Sequence, residues 1–257
     1  MAGDHGSLVL SATEFDVLWE AAGLPRRHIA IDVPSPGVTR TERAELVEKA
    51  WSTLADRRLA RNRRASGELT DMLHLLARPQ LGVDVWVWAE REIRGRAVSL
   101  RSQALLAVVD AGEVWLIPAQ EGRLPEAAVS VAGELEPGIG QTVSVPHEAL
   151  RAADAAASGE AKALVTALED RGVQLWEAQE LSGMLLGQEA RGQFGAERTG
   201  RDGVTHRASR VVAFFDTDSG RYLFQLGAGS DRRDWATVTP ADNALLAERV
   251  RELLAEA

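Results

Sequence analysis

The chain contains two similar stretches, and this repetition constrains its fold more than any other feature of the sequence. The first, over 78–119, reads RPQLGVDVWVWAEREIRGRAVSLRSQALLAVVDAGEVWLIPA, and the second, over 191–226, reads RGQFGAERTGRDGVTHRASRVVAFFDTDSGRYLFQL. Each follows a leucine-rich helical segment. Each then gives a polar strand, an Arg- and Gly-containing turn, and two hydrophobic strands joined by an Asp/Gly turn. The repeat predicts a single domain built from two pseudo-symmetric halves, 8–131 and 132–257.

Within each half, helices cluster first and strands cluster afterwards. This pattern is typical of an α+β protein, and the short turns between strands predict a mainly antiparallel sheet. Besides the helices that follow Ser11 and Thr39, helical patterns cover 66–77, 146–157, 160–171 and 173–186. Strands are expected near 8–10, 28–33, 81–91, 97–100, 104–109, 114–118, 127–131, 142–145, 192–198, 206–215, 221–226 and 234–238.

Three short motifs predict where helices begin. Ser11-Ala-Thr-Glu14 and Thr39-Arg-Thr-Glu42 are capping boxes, in which a hydroxyl and a glutamate satisfy each other's backbone N–H groups. Thr239-Pro-Ala-Asp242 is expected to cap the last helix, with Pro240 in its first turn. These signals place the first two helices before the first sheet segment and the last helix after the second.

Composition limits the class of protein. The 257 residues are 45% hydrophobic, which is enough for a core, and they include no cysteine. The formal net charge of −9 argues against a nucleic-acid partner, despite five arginines between 57 and 64. The N-terminus lacks a secretory signal, and no apolar run reaches the roughly 20 residues that span a bilayer. We therefore expect a soluble, cytoplasmic protein without membrane insertion.

No motif indicates catalysis or a cofactor. The histidines, at positions 5, 28, 74, 147 and 206, lack helical metal-ligand spacing, so no metal is expected. Neither a nucleophile elbow nor a Walker A loop occurs. Asp216-Thr-Asp-Ser-Gly220 imitates a calcium loop, but Leu226 stands where the bidentate glutamate would be, so a hairpin turn is predicted. The sequence favours a binding protein and leaves an enzyme as a weaker alternative.

Apolar side chains suggest where a partner could bind. Trp86 and Trp88 share one face of a strand, which is either open to a partner or covered by helices. Tyr222 and Phe224 line one face of the last hairpin. The helix end around Met184 is unusually apolar, as expected of either a core segment or a docking groove.

Six motifs, in this order, resemble the EspG family of type VII (ESX) secretion: LSATEFDVLWEAAGL, VPSPGVTRTERAELVEKAW, LLARP, GQFGAE, RVVAFFDTDSGRYLFQL and WATVTPAD. The resemblance covers about 8–254. Between about 91 and 146 it lies in the pattern of residue types more than in the residues themselves. It implies a pseudo-two-fold α+β fold. It also implies a cytosolic, non-enzymatic chaperone that binds the hydrophobic tip of the PPE subunit in PE–PPE heterodimers, keeping them soluble for secretion.

The resemblance implies that the sheet and the C-terminal helices bind the partner, without fixing single contacts. The candidate partner-binding residues share an apolar or amphipathic character in those regions. They are Leu181, Met184, Leu185, Gln193, Phe194, Phe214, Tyr222 and Phe224, with Trp86 and Trp88 in second rank. A homodimer is plausible if an apolar sheet face is open. The alternative function is a non-enzymatic scaffold or regulator that uses the same fold.

Overall fold

A computed structural model of the chain describes residues 6–229 and 232–257, in which eleven strands form one sheet and two more form a small hairpin. Residues 1–5 lie outside the described residues. They include His5 and the start of the N-terminal segment for which no secretory signal was predicted. Every strand pair in the large sheet is antiparallel. The strands are β1 Leu8–Ser11, β2 Ala60–Arg61, β3 Arg64–Ala65, β4 Leu81–Trp88, β5 Glu92–Leu100, β6 Gln103–Asp110, β7 Glu113–Ala119, β8 Val143–Pro146, β9 Gln188–Thr199, β10 Thr205–Arg207, β11 Val212–Thr217, β12 Gly220–Ala228 and β13 Asp234–Pro240.

Two groups of three helices and two single helices pack on the sheet. Both predicted capping boxes are present, so Ser11 and Thr39 each accept from the backbone N–H three residues on. The helices are α1 Ala12–Ala21, α2 Arg40–Asp56, α3 Gly67–Ala77, α4 Leu124–Val129, α5 His147–Ala157, α6 Ala161–Glu169, α7 Leu175–Leu185 and α8 Asn243–Glu256.

The order of strands across the sheet confirms the duplicated α+β fold. It runs β1-β7-β6-β5-β4-β9-β11-β12-β13-β8, with β10 attached to β9. The series β1, α1–α3, β4–β7, α4 is therefore repeated as β8, α5–α7, β9–β13, α8, and the two halves join where β4 pairs with β9. The boundary between residues 131 and 132 stays a prediction.

The pseudo-two-fold axis passes through the pair formed by Val83 and Ala196. In the β4–β9 ladder, Gly82 lies opposite Glu197 and Asp84 lies opposite Gly195. The segments RPQLGVD and RGQFGAE therefore occupy equivalent positions on either side of the axis. The strand sequences VDVWVWAE and QFGAERT share little when written side by side, but the two-fold relation makes Gly82 equivalent to Gly195, Val83 to Ala196 and Asp84 to Glu197.

Helices cover the two faces of the sheet in different ways. On one face, α4 and α8 pack over the centre against Val83, Val85 and Phe194. On the other face, α1–α3 pack over one half of the sheet and α5–α7 over the other. The centre of this second face, which we call the central strip, lies between the two bundles and is formed by β4 and β9.

Four expectations about elements were wrong. Residues 28–33 contain a 3-10 turn at Ile29–Ile31, because the His28 ring accepts from the Ala30 N–H at 3.2 Å and caps the turn. Residues 127–131 belong largely to α4, whose Pro125 stands in the favoured first turn and whose apolar side bears on the sheet.

The other two corrections concern the second half. The strand expected over 206–215 is interrupted by a bend at Ser209 and Arg210, after the Ala208 N–H has bonded the Ala196 carbonyl of β9 at 3.0 Å and before β11 begins. Pro240 ends β13, where it pairs with Tyr222, so it is not in the last helix. Asp242 alone caps α8, by accepting from the Leu245 N–H at 2.8 Å.

Candidate functional site

A cleft of about 560 Å³ opens between the C-terminal bundle and the central strip. We call it the apolar cleft, because four leucines and three phenylalanines are among its lining residues. Its lining residues are Trp88, His147, Leu150, Arg151, Asp154, Leu164, Leu185, Leu186, Gln188, Arg191, Gly192, Gln193, Ala213, Phe214, Phe215 and Phe224. Its size lies within the range of small-molecule and peptide-anchoring pockets.

The strip side of the apolar cleft carries an aromatic and cationic ladder. Strand alternation turns Trp86 and Trp88 away from α4 and α8, and their rings stack 6.1 Å apart. The Arg94 guanidinium lies 5.6 Å from the Trp86 ring, and the Arg191 guanidinium lies 5.7 Å from the Trp88 ring. Both tryptophans are half-buried, and the exposed part of each side chain lies in the central strip. Gln193 lies beside Trp86 in the ladder.

The bundle side of the apolar cleft comes from three helices and one strand. Leu150 on α5, Leu164 on α6 and Leu185 on α7 converge on Phe224 of β12. The helix α7 ends at Leu185, because Gly187 adopts a φ of +72° that turns the chain into β9. This turn leaves Leu185 and Phe224 partly exposed beside a well-packed core.

The candidate partner-binding residues divide by burial into two groups of five. Those on the cleft side or the strip are partly exposed: Leu185, Gln193, Phe224, Trp86 and Trp88. The others are at most 2% exposed: Leu181, Met184, Phe194, Phe214 and Tyr222.

Packing inside the protein explains the buried group. The rings of Phe194 and Phe214 stack 5.6 Å apart on the side covered by α4 and α8. The Tyr222 ring lies 5.3 Å from that of Phe215, and its hydroxyl donates to the Ile139 carbonyl at 2.8 Å. Burial raises the pKa of the Tyr222 hydroxyl. These five side chains have almost no open surface, and among them Phe214 alone is a lining residue of the apolar cleft.

The rim of the apolar cleft adds residues that sequence reasoning missed. His147, Arg151 and Asp154 project from α5, for which the sequence predicted a helix and no binding residue. Their spacing of three or four residues, shared with Leu150, was a usable signal, since such residues lie on one helical face. Arg151 donates to Glu148 at 2.8 Å, and this hydrogen bond lowers the pKa of that carboxyl.

Farther along the central strip lies a charge quartet, by which we mean Asp84, Arg96, Glu197 and Arg207. Arg207 makes a two-pronged contact with Asp84 at 2.7 and 3.0 Å, and Arg96 donates to Glu197. Each carboxylate stands opposite a glycine across the β4–β9 ladder, so the guanidinium groups can lie flat on the sheet. The hydrogen bond to Asp84 raises the pKa of Arg207, whereas burial lowers the pKa of Arg96.

The described part of the chain offers no metal centre. Among residues 6–229 and 232–257, no three His, Asp or Glu side chains lie close enough together to hold an ion. Within the same ranges, no helix combines the length and apolarity needed to cross a bilayer. The lining residues make the apolar cleft an apolar groove with a charged rim.

The fold and the cleft define a class of pseudo-symmetric α+β proteins with an open strip between two helical bundles. The chain belongs to the EspG family, whose pattern it matches over residues 11–252. Among the solved structures similar to it is the Mycobacterium tuberculosis type VII secretion system chaperone EspG5, in complex with a PE25–PPE41 dimer. That similarity has a TM-score of 0.76 and 14% sequence identity, and it covers 98% of this chain and 96% of that one. No curated protein is significantly similar in sequence.

Proposed function

We propose that this chain is a cytoplasmic, non-enzymatic chaperone of a type VII (ESX) secretion system that binds PE–PPE heterodimers. The apolar cleft receives the hydrophobic tip of the PPE subunit and keeps the heterodimer soluble until secretion. One observation carries the proposal: an EspG-family chain leaves an apolar cleft open beside the centre of its sheet. The similar EspG5 structure was solved with a PE–PPE dimer, which supports the choice of partner.

The proposed binding energy comes from burying apolar surface at the centre of the cleft. Leu185, Phe224 and Trp88 offer that surface, and each Å² removed from water contributes about 25 cal/mol before the cost of association. A charged rim, including Arg151 and Arg191, surrounds them and fixes orientation more than affinity. The five buried candidates then act by holding the cleft walls in place.

Co-expression with PE–PPE pairs from the same genome tests the proposal. Size-exclusion chromatography should show a co-eluting complex with at least one pair. Phe224→Asp should weaken that complex strongly, because it places a charge on the apolar wall. Gln193→Arg should also weaken it, by adding bulk and charge at the strip with less risk to the core. The mass of the free chain in the same experiment tests the predicted homodimer.

Val38→Asp is the matched control, because Val38 is 98% exposed and lies away from the cleft. It makes the same kind of change and should leave the complex intact. Circular dichroism and thermal melting must show that each variant is folded. If no PE–PPE pair co-elutes with the wild type, the chaperone proposal fails and the alternative of a scaffold or regulator is favoured. If pairs bind but neither cleft variant weakens them, the proposed site is wrong.

A further inference from the structure

A second cleft, of about 450 Å³, lies at the other end of the central strip beside the N-terminal bundle. We call it the basic cleft. Its lining residues are Trp19, Arg26, His28, Leu76, Ala77, Arg78, Pro79, Arg96, Glu197, Thr199, Gly203 and Thr205.

The two clefts are related by the pseudo-two-fold axis. Arg78 and Arg191 occupy equivalent places in the segments RPQLGVD and RGQFGAE, and each lines one of the clefts. Likewise, the end of α3 borders the basic cleft and the end of α7 borders the apolar cleft. The fold has therefore made the same kind of opening twice, with different walls.

The walls of the basic cleft carry positive charge that is not fully paired with acidic side chains of the protein. Arg26 and Arg78 are exposed, and neither side chain has a hydrogen bond or ion pair with any other described residue. Arg96 is 4% exposed, and its Nε finds no acceptor among the described residues, although Glu197 accepts from its Nη2. A buried donor without a partner is costly, so such groups usually mark an unseen ligand or water.

The balance of charges favours an anion. Three guanidinium groups face one carboxylate, Glu197, whose charge Arg96 already offsets. The His28 ring lies 3.8 Å from the same carboxylate and adds a polar group to the wall. The excess of two positive charges matches a dianion, and guanidinium forks match the oxygen spacing of phosphate. This local excess stands out in a chain whose net charge is −9.

We propose that the basic cleft binds a small molecule through its phosphate group. Arg26 and Arg78 hold the phosphate oxygens at the mouth. Arg96 supplies positive charge from the inner wall, and its free Nε is reached directly or through one water. This site is separate from the apolar cleft and does not depend on the proposed partner.

Titration calorimetry of the full chain with inorganic phosphate tests the site, at about pH 7.5, where phosphate is mostly a dianion. Sulfate, acetate and a tetraglutamate peptide are titrated at the same ionic strength. We expect one phosphate per chain, with sulfate comparable and acetate at least about tenfold weaker, since one carboxylate engages fewer donors. Equal binding of phosphate and acetate would show charge screening only. Tighter binding of tetraglutamate would assign the cleft to an acidic protein segment. Either result overturns the proposal.

Paired charge variants locate the binding. Arg26→Gln with Arg78→Gln should weaken phosphate at least about tenfold without unfolding the chain, because neither side chain has an internal partner. Arg40→Gln with Arg61→Gln is the control, since it removes two exposed arginines that lie outside both clefts. Equal losses in the two pairs would show a general charge effect. Failure of phosphate to saturate the wild-type chain below about 10 mM would also refute the site.

Discussion

Replacement of Arg221 should destabilise the protein more than most single changes, because this side chain is buried and all five of its N–H donors are used. Its Nε and Nη2 donate to the two Asp216 oxygens at 2.8 and 2.9 Å. The remaining donors reach the carbonyl oxygens of Ala132 and Gly133 at 2.7 and 3.0 Å, and the Asn243 side chain. One guanidinium therefore joins the β11–β12 hairpin to the segment after α4 and the start of α8.

The size of the effect follows from what each variant leaves unpaired. Arg221→Met keeps the volume of the side chain but leaves the Asp216 carboxylate without its cationic partner. Removing one partner of a buried ion pair costs about 3–5 kcal/mol. Because Asp216 keeps 14% of its side chain exposed, we expect the lower half of that range. Arg221→Lys keeps the charge but has three donors in place of five, so it should lose about 2–3 kcal/mol. The double variant Asp216→Asn, Arg221→Met should recover part of the loss.

Urea unfolding followed by circular dichroism measures these differences as shifts of the midpoint at constant slope. The wild type, Asp216→Asn, Arg221→Met and the double variant form a thermodynamic cycle, whose coupling energy should exceed about 1 kcal/mol. A loss below about 1 kcal/mol for Arg221→Met would show that the buried Arg221 network contributes little to stability. So would additivity in the double variant, because the pair would then contribute nothing as a unit.

Three further changes have expected outcomes. Gly192→Ala should cost about 1–3 kcal/mol in urea unfolding, because its Cβ would lie 2.4 Å from a buried phenylalanine ring, whereas Gly183→Ala meets nothing within 4 Å and should be neutral or stabilising. Ser11→Ala removes a capping box and should cost about 1 kcal/mol, seen as faster amide exchange in α1. The hydrogen bond from Arg91 lowers the pKa of Asp110, so its stabilisation should be present above about pH 3.9 and lost as the pH falls through that lowered pKa. Carbon NMR titration checks this, and Arg91→Gln should return the Asp110 midpoint to its ordinary value.

Local signals predicted the elements well wherever the chain's own chemistry decides the structure. The capping boxes at Ser11 and Thr39 bind their own helix N-termini, so no distant residue is needed. The Asp216–Gly220 segment is the predicted hairpin turn between β11 and β12, as Asp/Gly chemistry favours. By contrast, α4 was predicted as a strand, because its short apolar run looks the same in either state until it packs on the sheet.

The burial of the candidate site residues could not be predicted from the sequence, because burial depends on which face of the sheet a helix covers. Phe194 and Phe224 look alike in the sequence, yet α8 packs on the face that carries Phe194, while Phe224 points toward the opposite bundle and its cleft. Strand alternation assigns residues to two faces but does not say which face is closed. The rim on α5 was missed for a related reason: its residues become neighbours of β9 only after the bundle docks.

The register of the β4–β9 ladder indicates where the two halves have diverged. Near the axis they agree, because Gly82 and Asp84 on one strand match Gly195 and Glu197 on the other, and this agreement makes the charge quartet possible.

Away from the axis, the two halves differ. Trp86 and Trp88 face the apolar cleft end, whereas the equivalent positions on β9 lead to Thr199 and the basic cleft. At the centre, β4 and β9 pair with each other, so both strands must keep the same backbone spacing. The outer end of each strand touches only its own helical bundle. The two ends were therefore free to acquire different walls, and the duplicated fold supplies two clefts of distinct chemistry on one face of one sheet.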